Sequence, residues 1–188
     1  MNTTRLGLLL LSLTLTTHAE EFTVDPSHAE IGFSVKHLMV SNVKGAFNTF
    51  EGTLDYDIAK KELHSIQGSI STGSIDTNNE KRDEHLKDAD YFNIESYPKM
   101  EFQSTSIEKQ EDGSFEVTGN LKVLGVNHEV VLPAIINGPV DDPWGNKRIG
   151  IESTVVLNRR DLGITSSPAT MIGDKVKVSI NAEAAFKP

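Results

Sequence analysis

The sequence contains no cysteine and a single tryptophan, and no apolar run in it is long enough to cross a bilayer. Without cysteine there are no disulfides, no thiol nucleophile and no thiolate metal ligand, so the fold must be held by its core alone. Basic residues are also few, 18 Lys and Arg against 27 Asp and Glu. That balance argues against nucleic acid as a partner and against a purely electrostatic grip on anionic lipid. Nor is there a G-x-S-x-G elbow, and no two histidines stand at helical i, i+4 spacing. The sequence therefore shows no catalytic constellation, no metal set and no cofactor fingerprint.

The longest apolar run, Leu6 to Leu15, follows Arg5 and precedes the small-residue pattern Thr17-His18-Ala19. Residues 1–19 are predicted to form a cleaved secretory signal peptide, the run being too short for a transmembrane anchor. Removing them leaves residues 20–188 as one domain, with 17 basic and 27 acidic residues and a net charge of −10.

Two-fold alternation dominates this domain. Phe22 to Asp25 reads as a short strand stopped by Pro26, and His28 to Leu38 as a second strand with Ile31, Phe33, Val35 and His37 on one face. Val43 to Tyr56 reads as one long strand, in which Phe47 and Phe50, three apart, take opposite faces unless a bulge intervenes. Lys99–Lys109 and Ser114–Leu124 should pair as a hairpin through Asp112-Gly113. Asn137 to Asn146 reads as a polar loop with Trp144 as a packed anchor, and Lys175 to Phe186 is the cleanest alternating run. About eight long strands with one wet face each fit an antiparallel sheet. Closure into a barrel is favoured over a sandwich because long free edges invite aggregation.

One block departs from this pattern. Ser74 to Phe92 is charged and rich in helix formers, and predicts a single helix over residues 78–89. Thr77 and Glu80 have capping-box spacing, Lys81/Glu84 and Asp83/Lys87 could pair one turn apart, and Leu86, Tyr91 and Phe92 are natural anchors. Arg82, Asp83 and His85 read as a charge cluster that fixes this helix across the barrel, the competing reading being a head-group site. With the apolar faces turned inward, Phe33, Val35, Phe47 or Phe50, Met100, Phe102 and Leu121 would line the interior; His37 would either line it near a ligand head group or serve as a hydrogen-bonded structural histidine. The small residues Gly119, Ala134, Ala182 and Ala184 leave room for a cavity, although an eight-stranded barrel can equally be filled by its side chains.

Several segments resemble a known family. Asp25-Pro-Ser-His28 with Ile31-Gly-Phe33-Ser-Val35-Lys-His37 resembles its opening motif, and Gly45-Ala-Phe47 with Phe50-Glu-Gly52 its second strand. The most distinctive block is Ser74-Ile-Asp76-Thr77-Asn78, Arg82-Asp83-Glu-His85-Leu86, Tyr91-Phe92, Tyr97-Pro98 and Phe102. Gly119-Asn-Leu121, Gly125-Val-Asn127 and Asn158-Arg159-Arg-Asp161-Leu-Gly163 complete the likeness to the YceI-like family. Ala29 and Tyr91 depart from its usual Ser and Phe. The resemblance implies a periplasmic protein with an extended, eight-stranded, lipocalin-like barrel that binds a polyisoprenoid, a prenyl quinone or a fatty amide-type lipid. It implies no enzymatic activity and no cofactor, and leaves room for transient membrane contact and for a homodimer. Two other readings compete with a lipid carrier. One is a stress-related structural or signalling barrel without cargo; the other is an enzyme acting on an isoprenoid-like substrate through His37 or His85.

Overall fold

The computed structural model describes residues 19–188. The predicted signal peptide lies outside the described residues apart from Ala19. Ten strands follow one another: β1 (Glu20–His37), β2 (Ser41–Phe47), β3 (Phe50–Asp57), β4 (Glu62–Ser71), β5 (Ile75–Asp76), β6 (Lys99–Lys109), β7 (Phe115–Val123), β8 (Val126–Asp141), β9 (Lys147–Asn158) and β10 (Ile172–Phe186). Helix α1 (Glu80–Lys87) falls between β5 and β6. An antiparallel circuit runs β1-β3-β4-β6-β7-β8-β9-β10 and returns to β1, closing an eight-stranded barrel. Closure removes the free edges that strands of this length would otherwise expose.

Three boundaries differ from the sequence expectation, each for a local reason. Pro26 does not stop β1. The register with β10 shifts between Asp25 and Ala29, and Pro26 sits in that bulge, where its missing N–H is not needed by the ladder. The Asp25 carboxylate holds the bulge by accepting from the Ser27 N–H at 3.1 Å and the Ser27 hydroxyl at 2.6 Å. The expected long strand from Val43 to Tyr56 is instead two. β2 pairs with the upper half of β1 and β3 with its lower half, the break falling at Asn48-Thr49. At the other end of the chain β8 continues to Asp141, so the polar loop shrinks to a turn at Asp142–Asn146 that leaves Trp144 exposed rather than packed.

The barrel has two unlike ends. The lower end carries the tight turns after β3, β6 and β8 and is plugged by Phe22, Tyr56, Leu63, Phe115 and Ile149, all buried. The upper end carries the β1–β2 turn, α1 and the connection from Asn158 to Ile172. Its core is Phe47, Ile75, Tyr91, Met100, Val123 and Ile164.

At the lower end Arg148 ties three strands and a turn together, reaching Asp25 at 2.9 Å, Glu183 at 3.0 Å and Asp142 at 3.1 Å. The Ser27 hydroxyl, Arg148 and His28 hold the Asp25 carboxyl well below the usual carboxylate range. For Asp142, burial pushes the carboxyl up, but the Asn146 side chain and N–H, the Trp144 N–H and Arg148 outweigh it and bring it to about 2. Both groups favour their ionised form in the folded state. Their stabilisation is therefore complete above the ordinary carboxylate value of 3.8 and is lost as pH falls through the lowered values. Arg148→Gln should lower the urea midpoint at neutral pH. The gap to the parent should hold down to about pH 4 and narrow below it, as both carboxylates take up protons in the unfolded chain before they do so in the folded one. A gap that persists unchanged at pH 2 would assign the effect of Arg148 to packing instead.

Candidate ligand cavity

Between the lower plug and the upper core the barrel holds a partly open cavity of about 330 Å³, lined almost wholly by apolar side chains from every strand. Two-fold alternation brings this about, since residues at i, i+2 and i+4 share the inner face. Of the predicted residues, Phe33, Val35, Phe47, Phe50, Met100, Phe102 and Leu121 all line it. Phe47 and Phe50 do so together because Asn48 and Thr49 leave the ladder. The Asn48 N–H donates to the Ser74 carbonyl and the Thr49 N–H to the Ser74 hydroxyl, so the inner face resumes at Phe50. His37 does not line the cavity. The register shifts between Val35 and His37, and the imidazole ends half-buried at the upper rim.

Small residues contribute less room than their size suggests. Ala134 and Ala182 do line the cavity, whereas Ala184 belongs to the lower plug. Gly119 opens nothing, because the Phe102 ring lies over it; a Cβ there would sit 2.5 Å from Phe102 Cζ. Gly45 accommodates the Phe33 ring in the same way, again at 2.5 Å.

The roof is the part that alternation could not foresee. Leu86, Tyr91 and Phe92 cover the cavity from the α1 side, and Arg159, Leu162 and Ile164 from the Asn158–Ile172 connection. Phe92 stands edge-on to Phe47 at 5.8 Å, and Phe47 meets Phe33 at 5.8 Å, carrying the aromatic contact down into the barrel. The two roof segments are joined by Tyr91 Oη and Ser167 Oγ at 2.8 Å and by a bond from the Ser166 hydroxyl to the Asp90 carbonyl. Arg159 fixes the second segment. It is 4% exposed and donates to the carbonyls of Gly173, Ile164, Ser166, Ser167 and Ile172, with Asp174 Oδ1 at 3.0 Å from Nη2. Asp161, two residues on, accepts instead from the Asn158 side-chain amide at 3.2 Å. Of the buried side-chain polar atoms without a hydrogen-bond partner among the described residues, Ser153 Oγ belongs to a cavity-lining residue.

A family model described as the YceI-like domain matches residues 22–184. The chain belongs to the YceI-like family. Protein YceI of Salmonella newport (strain SL254) is 38% identical over 166 residues, covering 86% of each chain. The Campylobacter jejuni YCEI protein crystal structure matches with a TM-score of 0.75 at 33% identity, over 81% of this chain and 90% of that one. Two more distant structures share the fold. Burkholderia cenocepacia BcnA has a TM-score of 0.75 at 21% identity, over 85% of this chain and 98% of its own. A polyisoprenoid binding domain from Saccharophagus degradans, implicated in plant cell wall breakdown, has a TM-score of 0.69 at 14% identity, over 89% and 98%.

In this YceI-like barrel the distinctive helical block is a brace. Thr77 is not the helix cap. Asn78 takes a left-handed φ of 59°, and Asn79 caps α1 by accepting from the Arg82 N–H at 3.0 Å. Thr77 is instead the point on which the charged residues converge: Asp83, buried, accepts from its N–H and hydroxyl, while Arg82 donates to its hydroxyl at 2.7 Å and its carbonyl at 2.8 Å. Because Asp83 is turned inward, Lys87 pairs with Glu84 at 2.8 Å rather than with Asp83. His85 is exposed and stands edge-on to Tyr91 at 5.0 Å, outside the cavity lining. Among the described residues no group of His, Asp and Glu could hold a metal ion.

Proposed function

We propose that this YceI-like barrel is a periplasmic, non-catalytic carrier of a polyisoprenoid, prenyl quinone or fatty amide-type lipid, whose apolar tail occupies the cavity. The observation that carries this reading is the lining itself. An apolar space of about 330 Å³ would cost a fold roughly 8 kcal/mol at ~24 cal/mol per Å³ if nothing filled it. That is comparable to the whole stability of an ordinary domain. The volume also falls within the range of small-molecule sites. A tail gains about 0.8 kcal/mol per methylene on leaving water. A bilayer interior is as apolar as the cavity, so transfer between the two is nearly balanced for the tail. Pick-up and release are then both feasible, and selection falls to tail shape and to the few polar groups at the lining.

Mass spectrometry of organic extracts tests this directly, on exported protein purified without detergent and compared with an unrelated barrel. The expected result is a stoichiometric prenyl or fatty-chain lipid. An empty extract, together with failure to take up added prenyl quinone or prenyl phosphate, would overturn the carrier reading and leave the fold untouched.

A further inference from the structure

The β1–β2 turn puts three apolar residues into solvent: Leu38, Met39 and Val40 are 53%, 62% and 82% exposed, with Met171 beside them at 46%. The two segments are tied by the Leu38 N–H donating to the Met171 carbonyl at 2.8 Å, and the turn by Val40 N–H to the His37 carbonyl. Leu38 and Met39 have φ of 49° and 60°, left-handed conformations that favour Gly or Asn. An ordinary solvent-facing turn would use those residues, so Leu and Met here are held against local preference.

The surface immediately below is basic in a protein that is acidic overall. In the ladder Lys177 and Lys44 flank Ser34 from β10 and β2, and Lys175 and Lys36 lie two residues further towards the turn. All four side chains are exposed, and among the described residues none has a carboxylate within salt-bridge distance. The nearby Asp174 is already engaged by Arg159 and Arg160. Val35 and Ile172, which bracket this corner, also line the cavity. The opposite end offers a contrasting case. Trp144 is exposed there too, but among Asp141, Asp142 and Glu183, with the one nearby guanidinium, Arg148, already paired.

We infer that the Leu38–Val40 turn, Met171 and the lysines at 36, 44, 175 and 177 form a docking surface for an anionic lipid bilayer, setting the roofed end of the barrel against the membrane. The inference rests on the carrier reading for its purpose, while the docking can be measured separately. An apolar wedge plus a basic patch is the two-signal combination that gives reversible attachment to an anionic interface. The charge is local, which is why the net charge of −10 for residues 20–188 conceals it.

Flotation of the purified exported protein with phosphatidylethanolamine/phosphatidylglycerol vesicles, against phosphatidylcholine vesicles, tests it. The parent should float with the anionic vesicles and be released by salt. Met39→Asp/Val40→Asp should reduce flotation by about tenfold or more. Lys36→Gln/Lys44→Gln/Lys175→Gln/Lys177→Gln should do the same on anionic vesicles only, since each lysine near such a surface is worth roughly fivefold. Lys61→Gln/Lys109→Gln/Lys187→Gln, at the lower end, should change nothing. All these positions are exposed, so unchanged circular dichroism and melting are expected throughout. Absence of flotation by the parent, equal flotation by the folded variants, or a dimer in sedimentation velocity that Met39→Asp/Val40→Asp dissolves would each overturn the inference. Lipid content of the same preparations keeps the two readings apart. Cargo retained without docking removes this surface but not the carrier, and docking without cargo removes the carrier but not the surface.

Discussion

Phe102→Asp and Phe33→Asp will each give a folded barrel that no longer retains lipid through purification. Both rings line the cavity, Phe102 over Gly119 and Phe33 over Gly45. Replacing either with a carboxylate puts an uncompensated charge where the tail would lie. A buried charge is stabilised only by water or a partner. Water drawn in to solvate it would occupy the apolar space. The lipid-to-protein ratio should fall by at least about tenfold, because the penalty is several kcal/mol and each ~1.4 kcal/mol is a factor of ten. A second route reaches the same end without charge: Ala182→Phe adds a ring on the inner face, beside Ile151 on β9, and takes up volume instead. If the charged variants lose cargo by local unfolding, Ala182→Phe should still lose it while melting at or near the parent temperature. Full retention by both kinds of variant, with folding verified by circular dichroism, would move the ligand out of this cavity.

Arg159→Met will be among the most damaging single substitutions in the chain although it removes no core volume. Five backbone carbonyls from Ile164, Ser166, Ser167, Ile172 and Gly173 accept from this one guanidinium. Those of Ile164, Ser166 and Ser167 belong to a connection that has no ladder of its own, and those of Ile172 and Gly173 open β10. Removing the donor takes this partner from all five carbonyls and leaves both the Ser167 carbonyl and Asp174 with Arg160 alone. Breaking a buried charged network of this kind costs about 3–5 kcal/mol, and at roughly 2–4 °C per kcal/mol for a chain this size the melting temperature should drop by about 10 °C. Arg159→Lys should not rescue it, since an ammonium cannot reach a planar array of carbonyls. Because the same connection roofs the cavity, hydrogen exchange should rise first between Asn158 and Ile172. A variant that melts within about 2 °C of the parent would mean that the connection is held by Leu162 and Ile164 packing and not by Arg159.

Much of this architecture was legible in the residues. Alternation in Phe115 to Val123 and in Lys175 to Phe186 identifies both the strands and their inner faces, because strand periodicity is a property of the backbone that packing does not alter. The charged, β-branch-poor block after Ser74 announces the helix, and the family likeness rests on residues that brace it. Other features depended on partners far away in the chain. The strand through Pro26 survives because Asp25, Ser27 and Arg148 hold a bulge there, and Arg148 lies 123 residues further on. Thr77 gives up its capping role because Asp83 and Arg82 converge on it, a choice between equally spaced donors and acceptors that spacing cannot make.

The sequence by itself determined the strand-dominated, closed character of the protein, the inner face of each regular strand and the presence of one helix. These follow from periodicity, propensity and the need to pair every edge. Only the tertiary structure decided that Phe47 and Phe50 share the cavity while His37 does not, that Gly119 is covered rather than open, and that the roof is stapled by Arg159. Each of these depends on a register shift or a long-range hydrogen bond. Such features are set by which segments meet in space, and no local pattern in a single chain encodes that meeting.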